Sequence, residues 1–197
     1  MYTVIGTIRS RALRVMWMLE ELGQPYEHVP AAPRSPEAYA ASPSGKIPAL
    51  RDGDEILMDS VAIMAFLADR HGALTHPAGT HARARQDAIT NFLIDDFDAL
   101  LWTAGKHSFA LPEERRVPAI KETLRWEIGR AGARLEAMLG EGAFLAGDSM
   151  TVPDILAVQC LGWARAAKID PGSARLEGWA EGMRARPAFR RAMAREG

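Results

Sequence analysis

The chain has 197 residues, 48% hydrophobic and 25% charged, enough for one or two domains with a buried core, which excludes global disorder. Lys and Arg number 24 against 25 Asp and Glu, a net charge of −1 that argues against a basic nucleic-acid binder. A single cysteine, Cys160, excludes an intramolecular disulfide framework and a multi-cysteine zinc site. The first residues lack a signal-peptide pattern. The densest apolar run, residues 61–68, falls far short of the roughly 20 residues of a spanning helix. The expectation is a cytoplasmic protein with no membrane segment.

Tyr2-Thr3-Val4-Ile5 is a short β-favourable run halted by Gly6. Residues 12–22 follow as a helix ended by Gly23, with Val15, Met18, Leu19 and Leu22 on one stripe. Met16 and Trp17 add apolar surface elsewhere, so this helix is expected to pack against a sheet and against something else. Residues 25–29 read as a second strand, and the Pro-, Ser- and Ala-rich loop 30–45 carries a weak helix signal at 37–41. Residues 46–58 predict a hairpin about Arg51-Asp52-Gly53-Asp54. Residues 60–70 predict a helix capped by Asp59 or Ser60 and stopped at Gly72. Strand, helix, strand, hairpin and helix make a small α/β unit, residues 1–75. After a linker at 74–79 no strand candidates follow. Helices are predicted over 81–104, 112–139, 151–166 and 174–186, and Pro187 opens a last short one. The second domain, residues 80–197, reads as all-α.

Three segments of the first unit carry chemistry. In Ser42-Pro43-Ser44-Gly45-Lys46-Ile47-Pro48-Ala49-Leu50, Pro48 lacks a ladder donor and belongs at a strand start or edge. A cis Ile47–Pro48 bond would turn the backbone and leave the Ile47 amide and carbonyl for a ligand; the plainer reading is a loop before an edge strand. Asp59-Ser60 stands where a strand ends and a helix begins. Free amides there favour a carboxylate, and Asp59 can hold an ammonium, which together suit a zwitterionic α-amino-acid group; plain N-capping is the alternative. Gly6-Thr7-Ile8-Arg9-Ser10-Arg11 brings hydroxyls, guanidinium groups and a helix start to a place where a thiolate could be met, or else caps the helix with solvated arginines. In the second half Thr151 and Asp154 are spaced as a capping box, with Met150 and Ile155 as its hydrophobic staple. The five histidines show no ligand spacing, so no metal is expected.

Together these segments resemble the cytosolic glutathione transferases. Residues 42–50 are similar to the family's Asn-Pro-x-Gly-Lys-Val-Pro-x-Leu stretch. Asp59-Ser60, with Ala62-Ile63-x-x-Phe66-Leu67 after it, resembles the Glu/Asp-Ser signature. Leu22-Gly23-Gln24-Pro25-Tyr26-Glu27 resembles the passage from first helix to second strand. Leu145-Ala146-Gly147 followed by Pro153-Asp154 resembles Leu-x-Gly-x-x-x-x-x-Ala/Pro-Asp. The resemblance covers nearly the whole chain. It implies an α/β thioredoxin-like N-terminal domain followed by an all-helical C-terminal domain, glutathione as cosubstrate, and a homodimer with residues around 80–105 as its natural interface.

By the same resemblance, the Ile47 backbone before cis Pro48 pairs with the cysteinyl part of glutathione. Asp59 and Ser60 hold the γ-glutamyl end, and Arg34 or Lys46 meets the glycyl carboxylate. The tyrosine-type activator has no counterpart, because Gly6 or Thr7 ends the first strand, and no cysteine stands near the first helix. That leaves a serine-type reading: Ser10 as donor, Arg11 as electrostatic support and Thr7 in reserve. Lowering a thiol pKa of about 8.5 by about two units takes about 2.7 kcal/mol, within reach of one hydroxyl donor plus a helix N-terminus. The electrophile is expected between the domains, against Trp102, Lys106, His107 and Phe109. Arg9-Ser10-Arg11 disfavours a zeta-like isomerase. The expected reaction is conjugation of glutathione to a small hydrophobic electrophile. The alternative is a non-catalytic glutathione-binding or interaction module on the same fold.

Overall fold

A computed structural model describes residues 1–195 of the chain. β-favourable residues make β1 (Tyr2–Ile5), buried along its whole length. Parallel pairing of β1 with β2 (Tyr26–Val29) needs a crossover, and α1 (Ala12–Glu21) supplies it. After the short helix α2 (Pro36–Ala41), the hairpin β3 (Ala49–Asp52) and β4 (Glu55–Met58) completes a sheet of order β2-β1-β3-β4. Its register aligns Ile5 with Val29 and Ala49, and Ala49 with Met58. Next comes α3 (Ser60–His71), capped by Asp59 and closed by Gly72 in the left-handed conformation.

Val15, Met16, Trp17, Met18 and Leu19 are all fully buried, because α1 packs on β1, on α3 and on α9 (Pro187–Met193). The expected second packing surface of this helix is α9, whose Phe189 meets the Trp17 ring edge-on at 5.0 Å. One compact unit therefore comprises Met1–Pro77 together with the chain from Met183 on, and the other is Ala78–Gly182. This differs from an undivided second domain over residues 80–197: the end of the chain joins the first unit because it covers the apolar face of α1. Residues 196–197 lie outside the described residues.

In the second unit α4 (His81–Leu93) runs through a π-helical turn at Ile94–Asp98 into α5 (Ala99–Gly105) and a second π-helical turn at Lys106–Ala110. This helix is longer than the predicted 81–104; it stops where Leu111, restricted by Pro112, turns extended. The helix predicted over 112–139 begins later, as α6 (Ile120–Leu139). Pro118 restricts residue 117, and the segment before it is tied back instead. The Val117 amide donates to His107 Nδ1 at 3.0 Å, and Arg116 Nε donates to the Leu111 carbonyl at 2.8 Å. α7 (Val152–Ala166) and α8 (Ala174–Arg184) follow.

The capping box at the start of α7 is present as read. Asp154 accepts from the Thr151 amide at 2.7 Å, the Thr151 hydroxyl at 3.1 Å and the Leu145 amide at 2.8 Å. Burial pushes its carboxyl above the ordinary aspartate value, against the pull of these hydrogen bonds. Among the described residues no helix is long and apolar enough to cross a membrane.

Candidate functional site

The sheet register determines which loops meet. Ile5, Ala49 and Met58 lie in line across three strands, so Gly6-Thr7, Ile47-Pro48 and Asp59-Ser60 emerge side by side at one end of the sheet. Gly6 sits at φ +148°, and a Cβ there would lie 2.9 Å from Ala12 Cβ and 3.3 Å from Ile47 Cβ. Only glycine lets the end of β1, the start of α1 and Ile47 approach this closely. The Ile47–Pro48 bond is cis, and Pro48 is buried immediately before β3.

Arg34 and Lys46 hang from one pair of tied loops. Arg34, at φ +65°, donates its amide to the Gly45 carbonyl at 2.8 Å, and Gly45 donates to the Ser42 carbonyl at 2.8 Å. Both side chains are exposed.

Asp59 adopts φ +71° and ψ 121°, outside the usual regions for a residue with a Cβ. Its Oδ1 accepts from the amides of Val61 at 2.9 Å and Ala62 at 3.1 Å. Capping thus occurs, and both bonds fall on a single carboxylate oxygen. Ser60 is 2% exposed, and its hydroxyl accepts from the Arg14 guanidinium at 3.2 Å. Arg14 itself is 1% exposed, so α1 delivers a buried positive charge to the N-terminus of α3, adding to the field of its free amides.

Ser10 is engaged with the backbone. Its hydroxyl donates to the Thr7 carbonyl at 2.6 Å and accepts from the Ala12 amide at 3.1 Å, which ties down the first turn of α1. Thr7 Oγ1 accepts from the Arg9 amide at 3.4 Å, and Arg11 is half-buried at the helix start. Two neighbours escaped the sequence reading. Arg14 lies inside an apolar stretch of α1. His28, on β2, donates from Nε2 to the Gly6 carbonyl at 2.7 Å, made possible by the Ile5–Val29 pairing that sets β2 beside the end of β1.

Trp102, Lys106 and His107 belong to the helical unit. Trp102 is 37% exposed, with its ring centroid 6.5 Å from that of Trp163. Lys106 is half-buried, and the half-buried His107 ring accepts the Val117 amide at Nδ1. A cavity of about 410 Å³ opens beside them, lined by Leu101, Gly105 and Phe109 of the same helix and by Trp163 of α7. Among the described residues no group of three or more His, Cys, Asp or Glu is arranged to hold a metal ion.

Residues 10–77 match the family model for the glutathione S-transferase N-terminal domain, and residues 99–187 match that for the C-terminal domain. The chain is 30% identical over 201 residues to glutathione S-transferase 3 of Zea mays, covering 95% of this chain and 90% of the relative. Among solved structures, a glutathione transferase from Methylococcus capsulatus superposes with a TM-score of 0.83 at 27% identity, over 100% of this chain and 99% of that one. A glutathione transferase family member from Pseudomonas fluorescens, solved with two glutathione bound, gives 0.80 at 25% identity over 98% and 92%.

Proposed function

Because the chain belongs to the glutathione S-transferase family, we propose that it is a glutathione transferase, which binds glutathione at this end of the sheet and attacks a small hydrophobic electrophile with its ionised thiol. One observation carries the reading: the strand register sets the Ile47 backbone, Ser60 and the Thr7–Ser10 turn side by side, each offering what one part of glutathione needs. The amide and carbonyl of Ile47 pair with the cysteinyl backbone. The α3 N-terminus and the Ser60 hydroxyl, backed by Arg14, receive the γ-glutamyl carboxylate. Asp59 keeps its Oδ2 for the ammonium while Oδ1 caps the helix. Arg34 and Lys46 meet the glycyl carboxylate. Trp102 and Lys106 form the wall for the electrophile. A homodimer and a cytoplasmic location complete the reading. A non-catalytic module is not favoured, since the Zea mays relative matched over 90% of its length is named a transferase.

Thiol activation is assigned to Ser10, supported by Arg11, with Thr7 in reserve. In the free protein the Ser10 proton is held by a neutral carbonyl 2.6 Å away. A thiolate is a stronger acceptor, and rotation about one C–O bond redirects the proton to it. Ultraviolet titration of the bound thiol tests the assignment. Ser10→Ala is expected to raise its pKa by about one to two units, towards the free value of about 8.5. A shift in Thr7→Val alone would transfer the role to Thr7, and no shift in either would remove the hydroxyl from the mechanism.

A further inference from the structure

We propose that His28 is a positioning residue for thiol activation: by holding the Gly6 carbonyl, it turns the Thr7 backbone amide toward the sulfur of bound glutathione. This role rests on the glutathione reading above and adds a main-chain donor to the hydroxyl already assigned. His28 is half-buried on β2. Tyr26, two residues earlier and so on the same face of the strand, donates its hydroxyl to Glu20 of α1 at 3.2 Å. His28 therefore lies on the side of the sheet that α1 covers, beside the turn that leads into this helix. From there its Nε2 donates to the Gly6 carbonyl at 2.7 Å.

Gly6 is the point where the backbone needs such a hold. At φ +148° it has the freedom of a residue without a Cβ, and sterics alone leave the peptide that follows it free to turn. The peptide before it is fixed, since the Gly6 amide donates to the Val29 carbonyl at 3.0 Å. The ladder then stops: β2 ends at Val29, and Pro30 has no N–H to give. The Gly6 carbonyl takes a donor from the His28 ring, and that bond sets the plane of the Gly6–Thr7 peptide. This peptide is trans, so its N–H points opposite to its carbonyl. The carbonyl faces β2; the Thr7 N–H faces the other flank of β1, where β3 lies. Two steps past the Ile5–Ala49 pair, the antiparallel register brings Thr7 level with Ile47, the residue that pairs with the cysteinyl part of glutathione in that reading. The Thr7 carbonyl meanwhile accepts the Ser10 hydroxyl at 2.6 Å and the Ser10 amide at 3.1 Å, which keeps the turn closed. An amide aimed at the sulfur stabilises the thiolate as the thiol proton passes to solvent.

Ultraviolet titration of glutathione bound to His28→Leu tests the role, beside calorimetry with S-methylglutathione, which has no thiol to ionise. His28→Leu keeps an apolar body but cannot donate. It is expected to raise the bound thiol pKa by about one unit, about tenfold in ionisation. Its affinity for S-methylglutathione is expected to stay within about twofold of the wild type. His28→Gln, whose side-chain amide donates without titrating, is expected to relieve most of the rise. A measurement on the wild type, isotope-labelled at threonine nitrogen, reads the donor itself by magnetic resonance. There the Thr7 amide proton is expected to move downfield when glutathione binds as thiolate, and to move less with S-methylglutathione. Circular dichroism checks the fold of each variant. An unmoved thiol pKa in folded His28→Leu, an equal loss of affinity for S-methylglutathione, a rise that His28→Gln leaves unrelieved, or a Thr7 amide that answers both ligands alike would each overturn the role of His28 while the glutathione site stands. A wild type that binds neither ligand would overturn the glutathione reading itself, and this role with it.

Discussion

Arg14 puts a guanidinium where α1 otherwise presents hydrophobes. A buried cation costs free energy unless it is matched, and here one of its partners is the Ser60 hydroxyl. Arg14→Gln is expected to cost about 1–3 kcal/mol in urea unfolding, because a buried hydroxyl loses its donor. The same variant should weaken glutathione binding by calorimetry, as the γ-glutamyl carboxylate loses the charge behind its site. Arg14→Lys, which keeps the charge without the planar fork, should restore part of the affinity. In the sequence Arg14 follows Arg9 and Arg11, whose plain reading is as solvated cations at the helix start. What separates it from the others is a contact with a residue 46 positions away, which local pattern does not encode. Asp59-Ser60 and Pro48 were legible for the opposite reason: each sits in a short local signal whose meaning is contained in the turn itself. Ser10 is intermediate. Its place at the start of the first helix was readable, but the direction of its hydroxyl depends on the Thr7 carbonyl and had to be seen.

At the scale of elements, α6 carries two glycines with opposite surroundings. A Cβ on Gly132 would stand 1.9 Å from the Pro171 carbonyl oxygen, whereas nothing lies within 4 Å of one on Gly129. Gly129→Ala should therefore stabilise the protein by about 0.5–1 kcal/mol through helix propensity. Gly132→Ala should destabilise it by about 1–3 kcal/mol or more, since backbone must move to admit a methyl group. Thermal unfolding of the two variants beside the wild type reads both signs. Elements bounded by strong punctuation were legible: Gly23 and Gly72 after helices, and the Thr151–Asp154 box before one. The segment 112–119 was not. Its composition tolerates helix, but Pro118 and the His107–Val117 bond hold it otherwise. The two π-helical turns, at Ile94–Asp98 and Lys106–Ala110, were not anticipated, since residues 81–104 read as one continuous helix.

The molecule as a whole departs from a simple succession of two domains. The chain leaves its first unit at Pro77, builds a second, and returns at Met183. The return is held by charge as well as by Phe189. Arg186 grips Glu21 in a two-pronged pair at 2.6 and 2.8 Å, while Arg191 and Arg195 meet Glu20 at 2.7 and 3.2 Å. Burial works to raise the Glu21 carboxyl, but the Arg186 and Trp17 hydrogen bonds outweigh it, and the folded value lies below that of a free glutamate. Glu20 is lowered likewise, by Arg191, Arg195 and Tyr26 against burial. A lowered folded value gives stability that is full above the free glutamate pKa of about 4.3 and is lost as pH falls through the folded value. Glu21→Gln is thus expected to lose about 1 kcal/mol at neutral pH. The gap to wild type should close in unfolding measurements made at steadily lower pH; a gap independent of pH would remove the ion pair from the account. The all-helical character of residues beyond 80 was legible because apolar spacing is local. The return of α9 to α1 was not, since no short segment announces a partner some 170 positions earlier.

That return sets an order of events during synthesis. Residues 1–77 leave the ribosome long before residues 187–193, so the sheet and α1 can form while Trp17 still lacks the ring that covers it. A nascent or prematurely ended chain displays this bare apolar face, the kind of surface that chaperones bind and that drives self-association. The helix made late in the chain acts as the seal on the part made first.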